Sequence, residues 1–199
     1  MVLELTTKTK ETKTRRWPPP QGEWTYEDYA RLPDNIRYEV IKGDLYMSPA
    51  PRPIHQETLS ALHVHLWQYV SEKKSGRLYF APIDVNLPGF TSPVQPDLLF
   101  IANEHTDIVK TNTIEGVPDF IAEVLSPGNP EHDRDVKFHI YAQAGVQEYW
   151  IVDPQLCMVD VFVLRGHAYV QLDKFGREDT IQSELFAELQ LAVSKIFVN

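Results

Sequence analysis

Asp97 and Glu123 each interrupt an otherwise apolar run, Pro96-Asp97-Leu98-Leu99-Phe100-Ile101 and Phe120-Ile121-Ala122-Glu123-Val124-Leu125. A carboxylate taken out of water is costly unless it meets a cation, a hydrogen-bond donor or a metal. One such acid is most simply a structural ion pair or a cap at a strand end. Two on consecutive apolar runs are harder to explain that way. Neighbouring strands lie about 4.8 Å apart, close enough to aim both acids at one ion. Oxygen ligands without thiolates select a hard cation, Mg²⁺ or Mn²⁺.

A cation from the chain itself is also at hand. Asp133, Lys137 and Tyr141 recur at four-residue spacing, so a helix puts them on one face, beside an apolar face of Val136, Ile140 and Ala144. Lys137 can then reach across the start of that helix toward the acids, to orient a water or stabilise an anion. The competing reading is an ordinary Asp133–Lys137 surface pair, and spacing alone favours it. Glu39, in Arg37-Tyr38-Glu39-Val40-Ile41, is either a third acid at the site or an exposed residue of an alternating strand. Asp84 alternates with Val85 and is a weaker candidate for the same cleft. His55 opens an apolar stripe and reads first as a core histidine, while His63 and His65 read as packing or surface residues. Other chemistries lack their residues. There is no Gly-rich phosphate loop, no G-x-S-x-G elbow and no H-E-x-x-H.

The elements that must position these groups follow from pattern. Residues 1–22, rich in Thr and Lys and ending in Pro18-Pro19-Pro20, read as a disordered tail, and 23–199 as one domain. Thr25 with Asp28 forms a capping box for a short helix ending before Pro33. Ile36 to Met47 reads as two strands around Lys42-Gly43-Asp44. Pro53 to Lys73 is a long helix with Leu59, Leu62, Leu66 and Tyr69 on one stripe, closed by Gly76. Leu78–Leu87, the two acid-bearing runs, Glu148–Val152 and Met158–Leu164 read as strands, with a turn at Arg165-Gly166. Asp133–Ala144 is the second long helix, and 185–198 a short strand and terminal helix. The order of helix, three strands, helix and strand predicts an α/β fold, a mixed central sheet with helices on both faces.

Bulk properties bound the answer. The 199 residues suit one domain, and 43% hydrophobic with 24% charged residues is ordinary for a globular one. No apolar run is long enough to cross a bilayer, and the basic N-terminus lacks the apolar core of a secretory signal. The one cysteine, Cys157, excludes an intrachain disulfide and a Cys-based metal site, and points to a reducing, cytoplasmic setting. The net charge of −9 runs against a phosphate-gripping surface and is most simply a matter of solubility.

Taken together, several segments resemble a bacterial restriction-endonuclease-like family of the PD-(D/E)-x-K nuclease superfamily. They are Tyr38-Glu39-Val40-Ile41-Lys42-Gly43-Asp44-Leu45, Met47-Ser48-Pro49, His55, Pro96-Asp97, Glu123-Val124-Leu125-Ser126-Pro127, Asp133 with Lys137 and Tyr141, and the run from Gly145 to Asp153. The resemblance spans roughly residues 24–195. It implies Asp97 and Glu123 as metal carboxylates, Mg²⁺-dependent hydrolysis of DNA, and a homodimer. One position departs. The superfamily expects lysine two residues after the acid, where Leu125 stands, and Lys137 is the matching replacement from the helix. The reading is therefore a Mg²⁺-dependent endonuclease with Asp97, Glu123, Lys137 and Glu39 as its site. Two alternatives stand beside it: a nuclease fold kept only for binding DNA or protein, and a hydrolase of a smaller phosphate.

Overall fold

The turn at Lys42-Gly43 forms as its residues dictate. Both adopt positive φ, 51° and 84°, the backbone of the tight hairpin turn whose twist matches its strands. It joins β1 (Arg37–Ile41) to β2 (Asp44–Ser48). Before it, α1 (Tyr26–Tyr29) is opened by the Thr25–Asp28 capping box. The computed structural model describes residues 16–33, 36–48, 50–126 and 132–197, without the side chains of 91, 92 and 132–134. Most of the expected tail thus lies outside the described residues. From Gln21 to Trp24 the chain lies against the hairpin. The Gln21 amide both donates to the Leu45 carbonyl (2.9 Å) and accepts from the Leu45 N–H (2.7 Å). Trp17 meets Trp24 edge to face.

The long helix α2 (Pro53–Lys73) starts at a proline and buries His55, Thr58, Leu59, Leu62, Leu66 and Val70. Its buried stripe ends on Val70, with Tyr69 half-buried beside it. Lys74, with φ of 51°, caps the helix in place of Gly76. Gly76 instead begins the next strand, where a Cβ would sit 2.2 Å from the Ile101 carbonyl oxygen. The span expected as one strand is two, β3 (Gly76–Phe80) and β4 (Asp84–Leu87). Then follow β5 (Thr91–Val94), β6 (Leu98–Ala102), a 3₁₀ turn, β7 (Thr113–Glu115) and β8 (Phe120–Val124). Every residue of β6 and β8 is buried.

The second helix begins as a π-helical turn over His132–Lys137 and continues as α3 (Phe138–Ala144), capped by Gly145 at φ 103°. β9 (Glu148–Asp153), β10 (Met158–Arg165) and β11 (Ala168–Phe175) complete a six-stranded sheet in the order β11-β10-β9-β8-β6-β3. Within it β8 and β9 run parallel and the other pairs antiparallel. The helix between β8 and β9 supplies the crossover that a parallel pair requires. The C-terminal segment holds a two-stranded ribbon, β12 (Thr180–Ile181) with β13 (Leu191–Ala192). Beyond it, among the described residues, lies a 3₁₀ turn at Val193–Lys195 where a terminal helix was expected.

The hairpin does not stand alone. It joins β5, β4 and β7 in a second, five-stranded sheet, ordered β2-β1-β5-β4-β7. This sheet and α3 cover one face of the central sheet through Ile41, Val85, Leu87, Val94, Ile114, Ile140 and Tyr141. The other face carries α2 and the C-terminal segment over Phe100, Phe120, Trp150, Phe186 and Phe197. No helix among the described residues is long and apolar enough to cross a membrane.

Candidate active site

Two carboxylates meet where β6 and β8 pair. Leu98 pairs with Ala122 in antiparallel register, so the next step sets Asp97 beside Glu123 at the strand end. Asp97 is buried there and accepts from the Val124 N–H at 2.9 Å. His55, in the first turn of α2, lies with Nε2 3.0 Å from Asp97 Oδ2. A carboxylate only accepts, so Nε2 carries the proton and donates. The other ring nitrogen, Nδ1, is buried and finds no partner among the described residues. Burial pushes the Asp97 carboxyl up. The His55 hydrogen bond, the nearness of His55 and Lys137, and the Val124 N–H outweigh it and hold the group below the usual aspartate range.

Lys137 is the hub of the site. It sits at the junction of the π-helical turn and α3, a departure from regular helix of the kind that recurs at functional sites. Its ammonium lies 3.0 Å from Glu123 Oε1 and 3.1 Å from Glu39 Oε1. All three side chains are about 5% exposed or less. A buried ammonium between two buried carboxylates is electrostatically strong because little water screens it. One turn further on, the Tyr141 hydroxyl donates to Glu123 Oε1 at 2.8 Å. Burial first, then the Glu123 charge, raise the Tyr141 phenol well above its ordinary value, so it stays a donor.

A second ring of polar groups holds Glu39. The Gln95 N–H donates to Glu39 Oε1 at 2.7 Å. Its side-chain amide donates to Asp84 Oδ1 (2.9 Å) and accepts from Arg37 Nε (3.1 Å). The Tyr29 hydroxyl also donates to Asp84 (3.1 Å). Burial and the Asp84 charge push the Tyr29 phenol up. Asp84 therefore joins the site through Gln95.

The structure thus brings together Asp97, Glu123, Lys137 and Glu39, and adds His55, Tyr141 and Gln95. Lys137 is a buried bridge to two glutamates, and the side chain of Asp133 lies outside the described residues. Glu39 is buried, so the exposed-strand alternative fails. His55 is a histidine on the apolar stripe as expected, but its ring is engaged with an acid and not with the core. Tyr141 had a signal in its four-residue step from Lys137. Gln95 had only its place before Pro96-Asp97. His63 packs edge-on against Phe80, away from this cluster.

Among the described residues no group of three His, Cys, Asp or Glu side chains is placed to hold a metal ion. The donor set is nonetheless of the kind a hard divalent cation takes, two adjacent carboxylates with a third at one remove.

Comparison with known proteins agrees with this fold. A family model described as "Uma2: Putative restriction endonuclease" matches residues 26–194. The fold is that of a restriction-endonuclease-like nuclease, with a mixed central sheet flanked by helices and an N-terminal antiparallel hairpin. The chain belongs to the Uma2 family. It is similar in fold to a protein from Anabaena variabilis ATCC 29413, whose crystal structure is titled as a putative nuclease of DUF820. The TM-score is 0.72 at 19% identity, over 87% of this chain and 97% of that one. No curated protein matches.

Proposed function

We propose that the protein is a Mg²⁺- or Mn²⁺-dependent endonuclease that hydrolyses DNA phosphodiesters. The observation that carries this reading is the Lys137 ammonium, held between Glu123 and Glu39 beside Asp97. It supplies from a helix the cation that the strand lacks at Leu125. Asp97 and Glu123 would hold the divalent ion, which when bound polarises a phosphate oxygen and lowers the pKa of a water. Lys137 keeps a fixed positive charge for the phosphate oxygens, already oriented and desolvated. Glu39 and Tyr141 fix the lysine and Glu123, and Gln95 fixes Glu39. His55 orients Asp97 through its Oδ2. Residues 23–199 serve as one catalytic domain, in the reducing cytoplasm that a lone cysteine suits. Cutting a duplex on both strands suits a homodimer.

The test is cleavage of plasmid and single-stranded DNA with Mg²⁺ or Mn²⁺, wild type beside Glu123→Ala. Metal-dependent cutting that the variant loses supports the reading. A folded wild type that binds DNA without cutting points to a binding module, which Leu125 favours. Hydrolysis of small phosphodiesters alone points to the smaller-substrate alternative.

A further inference from the structure

A second concavity adjoins the site on the same face of the central sheet. Ile151 pairs with Glu123, Asp160 with Ile151 and Lys174 with Asp160. One row across four strands therefore leads from the buried glutamate to a cleft of about 370 Å³. Asp160 lies two strands from Glu123, roughly 10 Å away, a distance comparable with one or two nucleotides. The cleft has aromatic walls, Phe138 and Phe162, whose rings meet edge to face at 5.0 Å. It has polar lining from Asp160, Gln171, Lys174 and His139.

The cleft carries a small negative excess, since Asp135 also lines it and Lys174 balances only Asp160. Buried Asp160 accepts from Lys174 Nζ at 3.0 Å and from Gln171 Nε2 at 3.1 Å. Gln171 uses one of its two amide N–H groups there, and the other N–H and the amide oxygen remain to meet a ligand. A phosphate would meet Asp160 as well as Lys174, so an anion gains little. A neutral, planar heterocycle whose edge carries both donors and acceptors suits an aromatic wall and a side-chain amide.

We propose that this cleft is a nucleobase subsite, taking a base of the strand that carries the scissile phosphate. The proposal rests on the nuclease reading for its strand but on the cleft alone for its ligand. It gives the enzyme a preference for the base near the cut, in a protein whose overall charge offers little general grip on DNA.

The test uses the full chain and a fluorescent single-stranded oligonucleotide, with an abasic version as control. Binding and cutting are both read, in Mg²⁺ and in Ca²⁺. The variants are Gln171→Ala, on the exposed rim, and Phe162→Leu, which keeps an apolar side chain but loses the ring. Folding is checked by thermal midpoint. The expected result is that each variant weakens binding of the base-bearing oligonucleotide, up to roughly tenfold for Phe162→Leu. Each leaves the abasic one unchanged and flattens base preference near the cut. Equal weakening of both oligonucleotides, or no change in folded variants, overturns the subsite. Selective weakening without any metal-dependent cutting by wild type keeps the subsite and removes the nuclease reading. Cutting whose base preference ignores both variants keeps the nuclease and removes the subsite.

Discussion

Two buried glutamates on adjacent strands live under opposite rules. Glu148 opens β9 and faces the α2 side. Its Oε1 accepts from Trp150 Nε1 (2.8 Å) and Ser183 Oγ (2.6 Å), and its Oε2 from the backbone N–H groups of Glu184 (2.9 Å) and Leu185 (3.0 Å). Neutral donors fill both oxygens, and those donors tie the C-terminal segment to the sheet. Glu123 closes β8 on the opposite face. Its Oε1 is held by a cation and a phenol, and that cation is shared with another acid. A carboxylate met by fixed neutral donors is a fastener. One met by a shared charge retains a strong field that a ligand can use.

The largest expected effect separates the two. Glu123→Ala should lower metal-dependent cutting at least about a hundredfold, while Glu148→Ala, if folded, should cut normally. Assays of both on one plasmid decide it, and equal losses would erase the distinction. Next comes Lys137→Met. It leaves Glu39 and Glu123 buried without their shared cation, so the variant should lose about 3–5 kcal/mol of stability in urea unfolding. A change below about 1 kcal/mol in that experiment would mean that the pair is looser than the geometry implies. Glu148→Ala leaves several buried donors without an acceptor and should cost about 2–3 kcal/mol. The thermal midpoint should then fall by roughly 4–12 °C.

The smallest effect concerns pH. Asp97 has its folded-state pKa below the unfolded value, because His55, Lys137 and the Val124 N–H outweigh burial. Its contribution to stability is complete above the unfolded value of about 4 and fades as pH falls through the folded one. Wild type should therefore lose stability below about pH 4 more steeply than Asp97→Asn. Parallel curves from acid titration of the two would contradict the shift.

Much of the candidate site was legible because strands and helices have fixed periods. Asp97 and Glu123 stood out against apolar runs, and Lys137 lay one turn before Tyr141. The same logic was incomplete. Glu148, Asp119 and Asp160 are equally buried acids; Asp160 interrupts an apolar run just as Glu123 does, and the sequence does not say what meets any of them. Asp119, for instance, is satisfied by the Ala102 N–H, His105 and Gln147, partners that only the fold brings near. His55 misled because a histidine on an apolar stripe has the same pattern whether its ring meets leucine or aspartate. The second sheet was hidden for a related reason. Its pairings join β1 to β5 and β4 to β7, short strands far apart in sequence, and local alternation says nothing of such partners. The π-helical turn also escaped, since one extra residue in a turn barely disturbs a helical pattern.

The lysine that reaches the strand acids from a helix has a consequence for how the molecule comes into being. Glu39, Asp97, Glu123 and Lys137 belong to four segments spread over a hundred residues of chain. No shorter stretch emerging from a ribosome contains them all. Long-range pairings close late, because loop entropy must be overcome first. A chain still folding therefore carries its acids apart from their cation, and the site exists only when the whole sheet does.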